Sequence, residues 1–270
     1  MYIDLEDKVT RFLVQEYVNK ICYFVTEEEL NSNVHKLVHT FAVADMAIQL
    51  TKLTEPALPE QVQKQILNAA ILHDVGRCYE FEKGIPLGHV DHGKIGAELI
   101  QKRFPEMEVE IQATFYHNKL SSTAEPASCH PVLDYVRDAD MLANVQYEID
   151  HAETWIHHFY STKPQGITIP DIDEEIFLAV REKRPARSAK IERWSLLMEW
   201  LWQLCWCFNV TTEAGKKFAR QTHLFERFRD MICEKVVPMT ALDKDGQNKL
   251  RQTIRDTFSD ALFMSVFNCS

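Results

Sequence analysis

Six side chains in this chain have the chemistry to hold a cation. They are His39, the adjacent pair His73-Asp74, His92, His117 and Asp140. His73-Asp74 closes the apolar stretch AAILHDVGR, where an imidazole beside a carboxylate is an odd ending for a core helix. The pair makes sense if the buried face surrounds a metal ion, because a buried carboxylate without a partner costs several kcal/mol, order of magnitude. Singly, each residue has an ordinary explanation. An inward histidine is most often a hydrogen-bonded core residue, and Asp140 could pair with Arg137. Together, on successive helices, the set is hard to explain as packing.

Apolar spacing near 3.6 residues dominates the chain and predicts an all-α fold. Only 8 glycines and 10 prolines in 270 residues argue against an all-β design. The first helix includes Val9, Phe12, Leu13, Tyr17 and Val18. A second starts at the Asn-Ser-Asn of positions 31–33, which has capping chemistry, and runs through VHKLVHTFAVADMAIQLTKL. TEPALPE separates it from EQVQKQILNAAILHD, which is expected to stop near Gly76. Asp91 is a plausible N-cap for HGKIGAELIQKRF, residues 106–118 form a further helix, and Pro131 opens the one that carries Asp140. On this pattern Asp140 follows Val136 by four and Leu133 by seven, His73 follows Ala69 by four and Ile66 by seven, and His39 precedes Val43 by four and Ala47 by eight. All three therefore lie on the inward stripe of their helices.

The composition limits the rest. A hydrophobic content of 46% suffices for one all-α unit, divided as a helical core of about residues 20–150 and a helical extension over 151–270. The net charge of −10 disfavours nucleic acid and anionic membranes as partners, so an anionic substrate must be drawn in by local charge. Seven cysteines in no regular framework and no secretory leader at MYIDLEDKV predict a cytoplasmic protein. The apolar run from Trp194 to Phe208, broken by Glu199 and Gln203, is too short to span a bilayer and reads as a buried helix. Its Trp194, Trp200, Trp202 and Trp206 suit a core or the contact of a homodimer. The basic stretch Arg181, Lys183, Arg184, Arg187, Lys190 and Arg193 reads as a solvated turn before a helix, with the mouth of a phosphate site as the sharper alternative. DKDG at 243–246 resembles a calcium loop, but its glycine comes two positions early.

The segments HTFAVADMA, AAILHDVGR, DHGKIGAELI, FYHNK and LDYVRDADML resemble the successive motif helices of the HD superfamily of metal-dependent phosphohydrolases, over about residues 33–145. The most specific parts are HDVGR and RDADML. The first motif departs from the pattern at Ala42, where arginine is common. His35 and His89 lie close to the assigned positions; His39 is chosen for its H-x-x-x-V spacing and His92 because it precedes G-x-x-G-A. No GYP signature follows, so a cyclic-di-GMP role is not supported. The resemblance implies a binuclear metal site, with His39, His73, Asp74 and Asp140 on one ion and Asp74 bridging to a second completed by His92 and His117.

Four neutral imidazoles and two carboxylates then carry −2 against +4 from two divalent ions, and the residue of +2 favours hydroxide and a phosphate oxyanion. Two ions can lower the pKa of a bridging water and stabilise charge developing at phosphorus. The mixed donor set suits iron, manganese, nickel or zinc over calcium. Hydrolysis of a small phosphorylated substrate, a nucleotide first of all, is the expected activity. Asp74 and Arg77 are the expected catalytic residues, and Arg77, Lys94 and Lys119 the expected phosphate contacts. The alternatives are an HD-fold di-iron oxygenase, which needs the same ligand types, and a nucleotide-binding sensor without turnover.

Overall fold

A computed structural model describes residues 7–21, 27–79, 91–119, 127–162, 172–191 and 195–268. The described residues form helices and connecting turns, with no strand among them, so the fold is all-α. Contacts divide the chain into two compact units, residues 1–143 and 144–270.

The first unit contains the helices that matter for the candidate ligands. α1 (Lys8–Ile21) is started by Asp7, whose carboxylate accepts the Val9 and Thr10 backbone N–H groups. Its Val9, Leu13 and Tyr17, at intervals of four, are buried against Ile71, Leu72, Val75, Cys78, Ile100 and Phe104. Each large aliphatic or aromatic side chain so buried contributes about 1.5–3 kcal/mol. α2 spans Glu27–Leu53. It does not begin at the Asn-Ser-Asn of 31–33, as capping chemistry predicts; the helix runs straight through those residues, and propensity at three positions yields to the continuity of a 27-residue helix.

α3 (Glu60–Leu72) ends earlier than expected. His73 is its C-cap, and the chain tightens into a 3-10 turn over Val75–Tyr79 that contains Gly76. The glycine therefore does not terminate the helix. Its reason is contact: a Cβ there would lie 2.1 Å from the His92 carbonyl oxygen and 2.8 Å from the Gly96 nitrogen. α4 (His92–Arg103) starts where Asp91 accepts the Lys94 N–H, as the sequence predicts. α5 (Glu108–Tyr116) follows, with His117 as its C-cap. α6 (Val132–Asp150) begins just after Pro131.

The second unit holds the remainder of α6 and α7 (Ala152–Thr162), α8 (Glu174–Glu182), α9 (Leu196–Leu204), α10 (Glu213–Thr222), α11 (Leu224–Met231), α12 (Lys244–Thr257) and α13 (Asp260–Phe267). Side-chain caps open most of these: Ser195, Thr212, Asp243 and Ser259 accept the N–H of the third residue on. DKDG is thereby explained as an N-cap, with Asp243 receiving the Gly246 N–H. Trp200 of α9 is buried, as are Phe225 and Phe228 of α11, Phe258 just after α12, and Phe263 and Phe267 of α13. The apolar run is thus largely core, as its composition predicts, with Trp202 and Trp206 half-buried; Trp194 lies outside the described residues. In the basic stretch Arg184 bonds both oxygens of Glu175, at 2.6 and 3.2 Å, and holds that carboxyl below the usual range. Lys183 caps α8 in the left-handed conformation (φ 51°), while Arg193 lies outside the described residues. Among the described residues no helix is long and apolar enough to cross a membrane.

Candidate metal centre

The six predicted ligands come from five helices of the first unit, and they meet. His39 is interior to α2 and Asp140 interior to α6, while His73 caps α3 with Asp74 next to it. His92 is the first residue of α4 and His117 the C-cap of α5. The ligand atoms fall into two groups, His39–His73–Asp74 and Asp74–His92–His117, each with all atoms within 4.8 Å of one another. Asp140 Oδ1 joins the first, 2.9 Å from His39 Nε2 and 3.9 Å from His73 Nε2.

Asp74 divides its carboxylate between the groups. Oδ2 lies 3.7 Å from His73 Nε2. Oδ1 lies 3.3 Å from His92 Nε2 and 3.4 Å from His117 Nε2. Five of the six residues are buried, and Asp140 is half-buried.

Two backbone carbonyls fix how the rings face. His73 Nδ1 donates to the Ala70 carbonyl and His117 Nδ1 to the Thr114 carbonyl, both at 2.7 Å and both three residues back. Each ring thus has its proton on Nδ1 and turns an Nε2 lone pair inward. His73 Nε2 is fully buried with no hydrogen-bond partner. His117 Nε2 faces His92 Nε2 at 3.3 Å as well as the Asp74 oxygen. Around His73 Nε2 lone pairs and carboxylate oxygens crowd together, and the His39–Asp140 hydrogen bond relieves only one of these contacts, so positive charge among them would stabilise the rest. A transition-metal cation answers this, and the imidazole-carboxylate donor set fits one. His39, His73, Asp74 and Asp140 would hold one ion, and Asp74, His92 and His117 another.

The electrostatics agree. Burial alone would raise the Asp74 carboxyl, but the Arg77 guanidinium and the His73 ring beside it hold it well below the usual carboxylate range. Asp140 is likewise lowered against its partial burial by the His39 hydrogen bond and by His73. Burial pushes His117 down, toward the neutral form that a ligand needs.

The predicted phosphate contacts separate. Arg77 lies at the cluster, its Nε 3.3 Å from Asp74 Oδ1. Lys119 Nζ is 2.7 Å from Asp91 Oδ2 and sits over the Phe115 ring. Lys94 is exposed, 4.0 Å from Glu98. Of the neighbouring histidines, His35 sits one helical turn before His39 on α2, half-buried, and His89 lies outside the described residues.

Three further residues support the cluster and escaped the sequence reading. Tyr17 donates from α1 to the Asp74 carbonyl at 3.1 Å; its spacing marks it only as core. Asn118 Nδ2 lies 3.2 Å from His92 Nε2, and its place beside His117 in FYHNK was the available signal. Arg137, weighed in the sequence only as a partner for Asp140, donates to the carbonyls of Tyr116, His117 and Lys119.

Residues 37–151 match the family model of the HD domain. This stretch, less than half of the chain, is therefore identified as an HD domain, a domain of the superfamily that includes metal-dependent phosphohydrolases. Neither the curated proteins nor the solved structures contain a match to it.

Proposed function

We propose that this protein is a metal-dependent phosphohydrolase that cleaves a phosphate ester or anhydride of a small molecule, with a nucleotide as the first substrate class to test. The observation that carries the proposal is the divided carboxylate of Asp74, one oxygen toward His73 and the other toward His92 and His117. That division would let Asp74 serve both ions, which would then lie close enough to act on one phosphorus.

When bound, the divalent ions supply Lewis-acid activation of water and stabilise charge developing on the phosphoryl oxygens. The chain's own contribution is positioning. Ala70 and Thr114 hold the His73 and His117 tautomers through Nδ1, leaving Nε2 as ligand. Arg77 keeps Asp74 ionised and stands at the cluster edge, with its side chain about a fifth exposed, where it can take a phosphate oxygen in bidentate fashion. Lys119, tied to the residue before His92, is assigned a lesser phosphate contact, while Lys94 lies on the exposed face beside Glu98. The buried surroundings strengthen every charge interaction at the centre.

The described cysteines are all buried and form no disulfide with one another, which supports a reducing compartment such as the cytoplasm. The test is metal analysis of the purified protein, followed by a panel of nucleotides and phosphomonoesters with added Mn²⁺. Bound transition metal with phosphate release supports the proposal. No bound metal and no hydrolysis across the panel overturns it, and oxygen consumption by an iron-loaded sample would transfer the site to oxidative chemistry.

A further inference from the structure

We infer that Arg137 is a positioning residue that holds the His92–His117 half of the centre in place, so that its loss weakens one cation and spares the other. The inference rests on the two-ion reading above.

Arg137 lies on α6, three residues before Asp140. Its Nη2 donates to the Tyr116 carbonyl at 2.7 Å and to the Lys119 carbonyl at 2.9 Å, and its Nε to the His117 carbonyl at 3.3 Å. These carbonyls lie at the C-terminal end of α5, where helical backbone has lost its regular partners and carries partial negative charge. A guanidinium presents several N–H groups in one rigid plane, so a single side chain can gather three carbonyls at a helix end, one of which, that of Tyr116, also accepts the Lys119 backbone N–H. His117 is the C-cap of this helix end. The clamp therefore acts on the backbone of a ligand.

The hold extends to the second histidine. Lys119, whose carbonyl Arg137 binds, places Nζ 2.7 Å from Asp91 Oδ2. The other oxygen of Asp91 caps α4 through the Lys94 N–H, and His92 is the first residue of α4. His117 is thus tied to Arg137 directly and His92 through Lys119 and Asp91. The other half is supported differently: His39 and Asp140 sit inside continuous helices and His73 leans on Ala70.

Mn²⁺ is the probe, counted by equilibrium dialysis and read by electron paramagnetic resonance. Wild type should bind two equivalents and show the spectrum of a coupled pair. Arg137→Met should retain the first equivalent with unchanged affinity, lose roughly ten- to a hundredfold in the second, and show the spectrum of an isolated ion. Arg137→Lys should fall between, because one ammonium cannot reach three carbonyls in a plane. Should Arg137→Met fail to fold, Arg137→Lys decides alone: a weakened second equivalent supports the inference and an unchanged one overturns it. A folded Arg137→Met that binds both ions normally, or that loses both alike, also overturns it. His117→Ala separates the two levels. If wild type and His117→Ala bind the same number of ions, the two-ion reading fails and this inference with it. If His117→Ala binds one fewer and Arg137→Met matches wild type, only the role of Arg137 falls.

Discussion

The two halves of the centre are built in different ways. In the first half His39 and Asp140 project from the interiors of long helices, where each position is held by the turns before and after it, and only His73-Asp74 lies at a helix end. His92 and His117 sit at helix ends, the first residue of α4 and the cap of α5, where such support is missing on one side. The second half is accordingly surrounded by devices for fixing ends: the Asp91 cap, the Arg137 clamp, the Thr114 carbonyl and the close backbone contact at Gly76. A ligand inside a helix needs only a packed helix, whereas a ligand at a terminus needs dedicated contacts. The second half should therefore be the easier one to damage without unfolding the chain.

The largest effect comes from the residue the halves share. Asp74→Asn should remove cooperation between the ions and abolish hydrolysis, a loss of about a thousandfold or more if several kcal/mol of charge stabilisation disappear. Phosphate release and bound metal in the folded variant check this, and full activity would dissolve the distinction altogether. Next in size is a matched pair. His39→Ala and His117→Ala should each lower the metal content by one ion, counted by mass spectrometry on dialysed protein. Brief chelator treatment of wild type should strip the ion of the His92–His117 half first, and loss of both ions at one rate would erase the contrast between the halves.

A backbone change gives a smaller effect. A methyl group at Gly76→Ala would meet the His92 carbonyl at 2.1 Å, so the α4 end must move. An overpacking cost of about 1–3 kcal/mol is expected in the thermal melt, together with weaker binding at His92 and His117 and little change at His39. The mildest is Asp91→Ala, which removes the α4 cap. About 1 kcal/mol of stability should go, and the same half should lose affinity by roughly tenfold; an effect confined to stability would show that the cap does not position His92.

The candidate ligands, which the structure brings together, stood out in the sequence because each has a chemistry out of keeping with its apolar neighbours. His73-Asp74 ends a run of alanine, isoleucine and leucine, and Asp140 falls in register with Val136 and Leu133. The helical fold was legible for a related reason, since α1 shows the expected spacing and α4 and α6 the expected starts at Asp91 and Pro131. What did not show was anything carried by the backbone. The carbonyls of Ala70, Thr114 and Tyr116 have no sequence signature, so the tautomer locks and the Arg137 clamp could not be foreseen. Helix limits erred where local chemistry met longer-range continuity. Asn31-Ser32-Asn33 has capping side chains, yet α2 extends through it from Glu27. Gly76 has the conformational freedom of a helix terminator, yet α3 has already ended at Leu72 and the glycine serves a neighbouring helix instead.

That glycine has a mechanical meaning. Between the turn after Asp74 and the start of α4 the two main chains touch without any side chain between them, and Gly96 faces Gly76 from the other side. Ordinary helix contacts pass through side chains that can change rotamer and absorb a small shift. Here there is no such cushion, so a displacement of the turn is handed on to α4 undiminished. The segment bearing Asp74 and the segment bearing His92 should therefore shift together, keeping the gap between those two donors even when the surrounding helices move.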